Sequence, residues 1–182
     1  LNPTSIFLDN FLNPKIGNFG LQIQSNFFNE LIYENKSGLN SSYRYLSPEF
    51  LIENKFSKEG DVYSFALIVY EIMTAKIPFK NVKNLNELFD EIVNNSNRPK
   101  FTDQIPECYQ KLIESCWSQN PQNRPSFIEI VDLMKNDANF ITENVNKDNF
   151  IKYVKKNEIG CKKREQVKKA ETKNSNKKEM SK

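Results

Sequence analysis

Along residues 1–22, short apolar runs alternate with turn formers: Ile6-Phe7-Leu8, Asp9-Asn10, Phe11-Leu12, Asn13-Pro14, then Ile16. Runs this short, closed by Asp, Asn and Pro, predict short strands joined by a tight turn. Residues 23–48 are polar, rich in Asn and Ser and without a period, and predict a long irregular loop. From Ser57 the pattern turns helical. Ser57 suits an N-cap, and Asp61 near the start suits the positive end of the helix dipole. Val62, Phe65, Ala66, Leu67, Ile68, Val69, Ile72 and Met73 cover most of this helix's circumference, which predicts a helix buried among others. Residues 84–95 place Leu85, Leu88, Phe89, Ile92 and Val93 on one face. Residues 106–117 do the same with Tyr109, Leu112, Ile113, Cys116 and Trp117, and Pro106 suits a first helical position. Residues 125–135 repeat it with Phe127, Ile130, Val131 and Met134. Pro78, Pro99, Pro121 and Pro125 mark the connections. A last short helix is predicted over about residues 147–156, with Phe150, Ile151 and Val154. The sum is a mainly α fold, a helical bundle entered through a short β-hairpin.

Charge sharpens the boundaries. The net charge is +3, but residues 155–182 carry 11 positive and 4 negative side chains, net +7, which leaves 15 and 19, net −4, for the rest. Little after Lys155 can be buried, so 155–182 is expected to be a disordered basic tail. The expected organisation is a lobe over 1–140, a terminal helical segment over 141–154 and that tail.

Several classes of function fall away. There is no histidine, which removes His-based triads, His metal sites and a His general base. The three cysteines (Cys108, Cys116 and Cys161) lack paired spacing, so neither a disulfide framework nor a Cys-type zinc site is expected. The longest apolar run, about Phe65 to Tyr70, is far short of the roughly 18–20 residues of a membrane span. No signal peptide opens the chain, so an intracellular, cytoplasmic protein is expected. The chain opens at Leu1 rather than Met and is expected to be a fragment. Its 25 asparagines read as a bias of surfaces and loops.

Five stretches in order resemble a protein kinase, specifically the C-terminal lobe of the tyrosine-kinase-like group. Leu1-Asn2-Pro3-Thr4-Ser5-Ile6-Phe7-Leu8-Asp9 resembles the end of the catalytic loop and the strand after it. Pro14-Lys15-Ile16-Gly17-Asn18-Phe19-Gly20-Leu21 resembles the segment around the magnesium-binding Asp-Phe-Gly. Tyr43-Arg44-Tyr45-Leu46-Ser47-Pro48-Glu49 resembles the end of the activation loop. Asp61-Val62-Tyr63-Ser64-Phe65-Ala66 resembles the start of the central buried helix. Cys116-Trp117, Pro121 and Arg124-Pro125-Ser126-Phe127 resemble the late helices. Ser5 precedes Asn18 by 13 residues and Glu49 precedes Asp61 by 12, both matching the family's separations. The resemblance covers about residues 1–135.

The resemblance implies ATP- and magnesium-dependent phosphoryl transfer, which is mostly positioning and charge neutralisation. The glycine-rich loop, strand lysine and helix glutamate of the family's small lobe are absent here, and the catalytic aspartate would fall one residue before Leu1. The family's lysine of the catalytic loop aligns with Asn2, its metal-binding Asn with Ser5 and its metal-binding Asp with Asn18. An amide cannot neutralise magnesium as a carboxylate does. No intact catalytic, cofactor or metal position is therefore expected. The chain is expected to bind no cofactor and to be inactive by itself, serving as a regulatory or interaction module with protein partners the sequence does not identify. The bland reading of Asn18-Phe19-Gly20 is a tight turn. The rival functional readings are a piece of an active Ser/Thr kinase whose small lobe lies upstream, and a basic-tail binder of nucleic acid or membrane surface.

Further positions follow from the resemblance. Glu49 and Arg124 correspond to a buried ion pair; the alternative is two unrelated surface charges. Asp61 corresponds to an aspartate that accepts backbone N–H groups from the catalytic loop; the alternative is a plain helix N-terminal acid. Trp117 is expected in the core with no ligand role. Ser42 stands where Ser/Thr-type kinases place a threonine, and Ser37, Ser41, Ser42, Tyr43 and Tyr45 are candidate phosphate acceptors or simply loop. In the tail, Lys162-Lys163-Arg164, Lys168-Lys169 and Lys177-Lys178 could touch acidic surfaces, but no aromatic follows Tyr153 to stack on bases, so sequence-reading nucleic-acid binding is not expected.

Overall fold

The computed structural model describes residues 1–17, 39–102, 104–143 and 145–157. Asn18, Ser37 and the tail from 158 onward lie outside them. The chain divides into two compact units, Leu1–Leu133 and Met134–Lys182.

The first unit opens with a 3-10 turn, Pro3–Ser5, and an antiparallel hairpin of β1 (Ile6–Leu8) and β2 (Pro14–Ile16). The register pairs Ile6 with Ile16, Phe7 with Lys15 and Leu8 with Pro14. The connection is built by Asp9, whose carboxylate accepts the backbone N–H groups of Phe11 and Asn13 at 2.9 Å each. Phe11 and Leu12 belong to this turn and stand 86% and 74% exposed.

The expected irregular loop over 23–48 is corrected at its described end. Ser41–Tyr45 form a 3-10 turn capped by Asn40, and α1 (Pro48–Glu53) follows at once. Pro48 at its first position, with φ preset and no N–H to satisfy, and Glu49 in its first turn are the local signals for this helix.

α2 (Lys58–Thr74) is the axis of the unit. The Ser57 hydroxyl accepts the Gly60 N–H at 2.9 Å and starts the helix. Val62, Tyr63, Ala66, Leu67, Ile68, Val69 and Tyr70 are all buried. Each large apolar side chain so buried contributes about 1.5–3 kcal/mol. Ile72, expected in the core, is 73% exposed; it lies in the last turn, and no described residue covers it. Ala75 ends the helix at φ 53°.

α3 (Leu85–Phe89) runs into a wider π turn, Asp90–Asn94. Asn84 Oδ1 accepts the Glu87 N–H while Glu87 Oε2 accepts the Lys83 N–H, a reciprocal cap. Leu85, Leu88 and Ile92 are buried. α4 (Glu107–Cys116) packs on α2. Pro106 is its N-cap, one place before the expected first helical position. Tyr70, Phe101 and Trp117 form a triangle of rings with centroids 5.5–6.0 Å apart. Trp117 is in the core, as expected.

α5 (Phe127–Asn136) begins with a second reciprocal cap between Ser126 and Glu129. Its expected core face is narrower than read: Ile130 is buried, whereas Phe127 is 39% and Val131 59% exposed. Phe127 still meets the Phe65 ring edge-on at 5.6 Å. In the second unit, Asp137 caps a 3-10 turn, Ala138–Phe140, and α6 spans 147–157. Among the described residues, no helix is long and apolar enough to cross a membrane.

Candidate functional site

The first turn of the chain is closed by its own side chains. Asn2 Oδ1 accepts the Thr4 hydroxyl at 2.7 Å, the Ser5 N–H at 3.1 Å and the Ser5 hydroxyl at 3.1 Å. The Ser5 carbonyl accepts the Gly17 N–H at 2.8 Å, tying this turn to the end of β2. The terminal ammonium of Leu1 pairs with Asp61 Oδ1 at 3.0 Å. Asn18, the next residue after Gly17, lies outside the described residues.

Ser5 and Asn18 stand where the resemblance places the family's magnesium ligands. Ser5 offers a neutral hydroxyl already turned toward Asn2, and the sequence provides an amide at Asn18. A hard dication is held by carboxylate oxygens. Neither residue brings one.

Beside this turn lies a cleft of about 450 Å³ whose lining includes Asn2, Ser42, Tyr43, Phe50, Phe56 and Asp61. Its wall is the turn 41–45. Asn40 Oδ1 accepts the Ser42 N–H at 3.0 Å and the Ser42 hydroxyl at 2.8 Å. Tyr43 and Tyr45 are buried. The Tyr45 hydroxyl donates to the Glu71 carboxylate, and burial, reinforced by that carboxylate, raises its pKa strongly. The Tyr45 carbonyl accepts the Ser64 hydroxyl at 2.7 Å. Tyr43 and Tyr45, candidate phosphate acceptors by sequence, are only 7% and 5% exposed. Ser41 is exposed and Ser42 half-exposed.

Below the wall, Glu49 and Arg124 meet. Arg124 Nη1 and Nη2 donate to Glu49 Oε1 and Oε2 at 2.8 and 2.9 Å, a two-pronged contact. Arg124 also donates to the carbonyls of Ser118 and Glu59, both at 2.9 Å. Its side chain is fully buried. Burial alone would raise the Glu49 carboxyl, but the hydrogen bonds and charge of Arg124, a backbone N–H and the Ser47 side chain together outweigh it and hold the group below its ordinary value. Gly60 makes this approach possible: a Cβ there would stand 3.1 Å from Ser47 Oγ and 3.3 Å from Glu49 Oε1.

Two guanidinium groups meet the Tyr63 ring, those of Arg98 and Arg124, each 5.1 Å from its centroid. Its hydroxyl is buried with no partner among the described residues, and burial pushes its pKa up to about 12. Arg98 donates in turn to the Trp117 carbonyl at 2.8 Å and to Gln119 Oε1 at 2.6 Å.

Sequence reasoning picked out Glu49, Arg124 and Asp61, and missed Arg44, Tyr63, Glu71 and Arg98. One signal was available for Arg44, a cation held between two aromatics in Tyr43-Arg44-Tyr45. Another was available for Tyr63, which falls on the all-round apolar pattern of α2.

Residues 2–134 match the family model described as protein tyrosine and serine/threonine kinase. Among similar proteins of Dictyostelium discoideum, the dual specificity protein kinase shkE is 33% identical over 125 residues, 66% of this chain and 17% of that protein. A probable serine/threonine-protein kinase is 32% identical over 136 residues, 75% of this chain and 14% of its own length. The dual specificity protein kinase pyk3 is 37% identical over 131 residues, 72% of this chain and 9% of its own. The chain thus spans less than a fifth of the length of these relatives.

Proposed function

The chain belongs to the protein tyrosine and serine/threonine kinase family, and from that premise we propose that it is a large-lobe module that engages a protein partner through the cleft beside Asp61 and does not transfer phosphate by itself. The observation that carries this reading is the closed circuit at Asn2 and Ser5. Two positions that would meet phosphate and metal in an active relative are here neutral and hydrogen-bonded to each other. By the same alignment a lysine's charge is gone at Asn2 and a carboxylate's at Asn18; losing one such charge beside a divalent ion and a triphosphate costs several kcal/mol where such stabilisation is usually the largest contribution to rate, and each 1.4 kcal/mol is tenfold in rate. The cleft itself keeps its shape through Glu49–Arg124 and Tyr45–Glu71, neither of which depends on nucleotide. The test is nucleotide binding by the 182-residue chain, measured by calorimetry with and without magnesium. No magnesium-dependent uptake is expected; tight uptake that requires the cation overturns the proposal.

A second reading is favoured by the hairpin. Phe7, Leu8, Phe11, Leu12 and Ile16 are each more than half exposed, an apolar surface of the kind a covering segment would bury. On this reading a longer polypeptide supplies the small lobe and the catalytic aspartate, and the whole is an ATP-dependent Ser/Thr or dual-specificity kinase. Magnesium-dependent autophosphorylation by a chain extended upstream supports it; a catalytically silent extended chain refutes it.

A further inference from the structure

Arg44 stands out among the cations of the first unit. It is half-buried, and no carboxylate of the described residues lies within ion-pair distance. Its guanidinium instead donates to two main-chain carbonyls, Nη1 to Phe79 O and Nη2 to Val82 O at 3.2 Å. These two carbonyls belong to one turn, closed by the Val82 N–H donating to Phe79 O at 3.0 Å. The turn is bought with backbone strain: Phe79 sits at φ 51°, a left-handed conformation that a bulky side chain rarely adopts. A third link runs in parallel, from the Leu39 N–H to the Lys83 carbonyl at 2.9 Å. On one side of Arg44, its neighbours Ser41, Ser42, Tyr43 and Leu46 form the cleft wall. On the other, Phe79 and Val82 help to line a separate, wider groove of about 910 Å³.

We propose that Arg44 is the positioning residue of the cleft: it latches the wall 39–46 to the strained turn 79–82, so that the shape offered to a partner is set by loop 75–83. The inference deepens the partner-binding reading of the cleft and rests on it. The Leu39–Lys83 bond is a second link between the wall and that loop. A bond from a charged donor to a carbonyl in a partly dry site is worth more than a neutral one, enough for a tenfold to hundredfold change in local opening. Lysine could reach one of the two carbonyls but cannot fork to both.

The experiment is amide hydrogen exchange on the full 182-residue chain, comparing wild type with Arg44→Gln, Arg44→Lys, Phe79→Pro and Phe79→Gly. In Arg44→Gln, the amides of Leu39, Tyr43, Leu46 and Val82 should exchange at least about tenfold faster, while Leu67 in α2 and Ile113 in α4 keep their protection. Arg44→Lys should recover part of the loss. Proline cannot adopt φ 51°, so Phe79→Pro should loosen 39–46 from the loop side with Arg44 intact; glycine adopts it freely, so Phe79→Gly should leave 39–46 protected. The proposal is overturned if 39–46 is unaffected by Arg44→Gln, if α2 and α4 loosen equally, or if Lys behaves as Gln. Should Arg44→Gln fail to fold, the Pro and Gly pair decides alone. The readout needs neither nucleotide nor phosphate transfer, so its failure is separable from failure of the proposed function.

Discussion

Replacing Glu49 with Gln tests the energetics of the whole site. The change keeps the side chain's shape but removes its charge, leaving the Arg124 guanidinium fully buried with only carbonyls around it. Breaking a buried pair from one side costs about 3–5 kcal/mol, most of it the uncompensated charge. With a urea dependence of about 1–3 kcal/mol per molar for a domain of this size, the unfolding midpoint should fall by roughly 2 M. The pH dependence gives a second reading of the same bond. The folded carboxyl is held below its ordinary value of 4.5, so its stabilising share is complete above that value and is lost as pH falls through the lower folded value. Wild type should therefore lose stability over that acidic window, and Glu49→Gln should lose less. Pairing Glu49→Leu with Arg124→Met removes both charges and should cost less than Glu49→Gln alone. A Glu49→Gln midpoint within about 0.3 M of wild type, with an unchanged acid profile, would refute the reasoning.

Other outcomes follow from the same geometry. Tyr63→Phe deletes a buried hydroxyl that has no partner among the described residues and should raise stability by about 1 kcal/mol in urea unfolding; a loss of that size would show that the hydroxyl is bonded. Cys116 is fully buried and burial pushes its thiol up to about 11, so iodoacetamide at pH 8 should modify the half-exposed Cys108 well before Cys116, as peptide mapping would reveal; equal labelling of these two in the folded chain contradicts the packing of α4.

The long elements were legible because their periodicity reports burial directly. α2 is apolar nearly all round, and α4 repeats at helical spacing. What escaped is what pattern cannot encode. α1 is only Pro48–Glu53, too short for a period, and its start is signalled only by Pro48 and Glu49. Val131 and Ile72 fit an apolar stripe but lie where no described element comes to cover them. The Glu49–Arg124 pair was reached through resemblance, since 75 residues separate the partners and spacing alone cannot bring them together. Arg44 was missed for a related reason: the flanking tyrosines mark it, but its partners are main-chain carbonyls, which carry no sequence signature. Asn18, on which the sequence argument for inactivity leaned most, lies outside the described residues, whereas Asn2 and Ser5 lie within them.

The abundance of asparagine has a consequence for how the fold endures its surroundings. Asn2, Asn40, Asn84 and Asn120 each accept the opening N–H of a helix or 3-10 turn through an amide oxygen. An aspartate in the same places would gain and lose its grip as protons and counter-ions come and go; an uncharged oxygen does not. The ends of these elements should stay pinned in vinegar-like and brine-like solvents alike, confining acid-driven opening to the few sites where a true carboxylate does the holding.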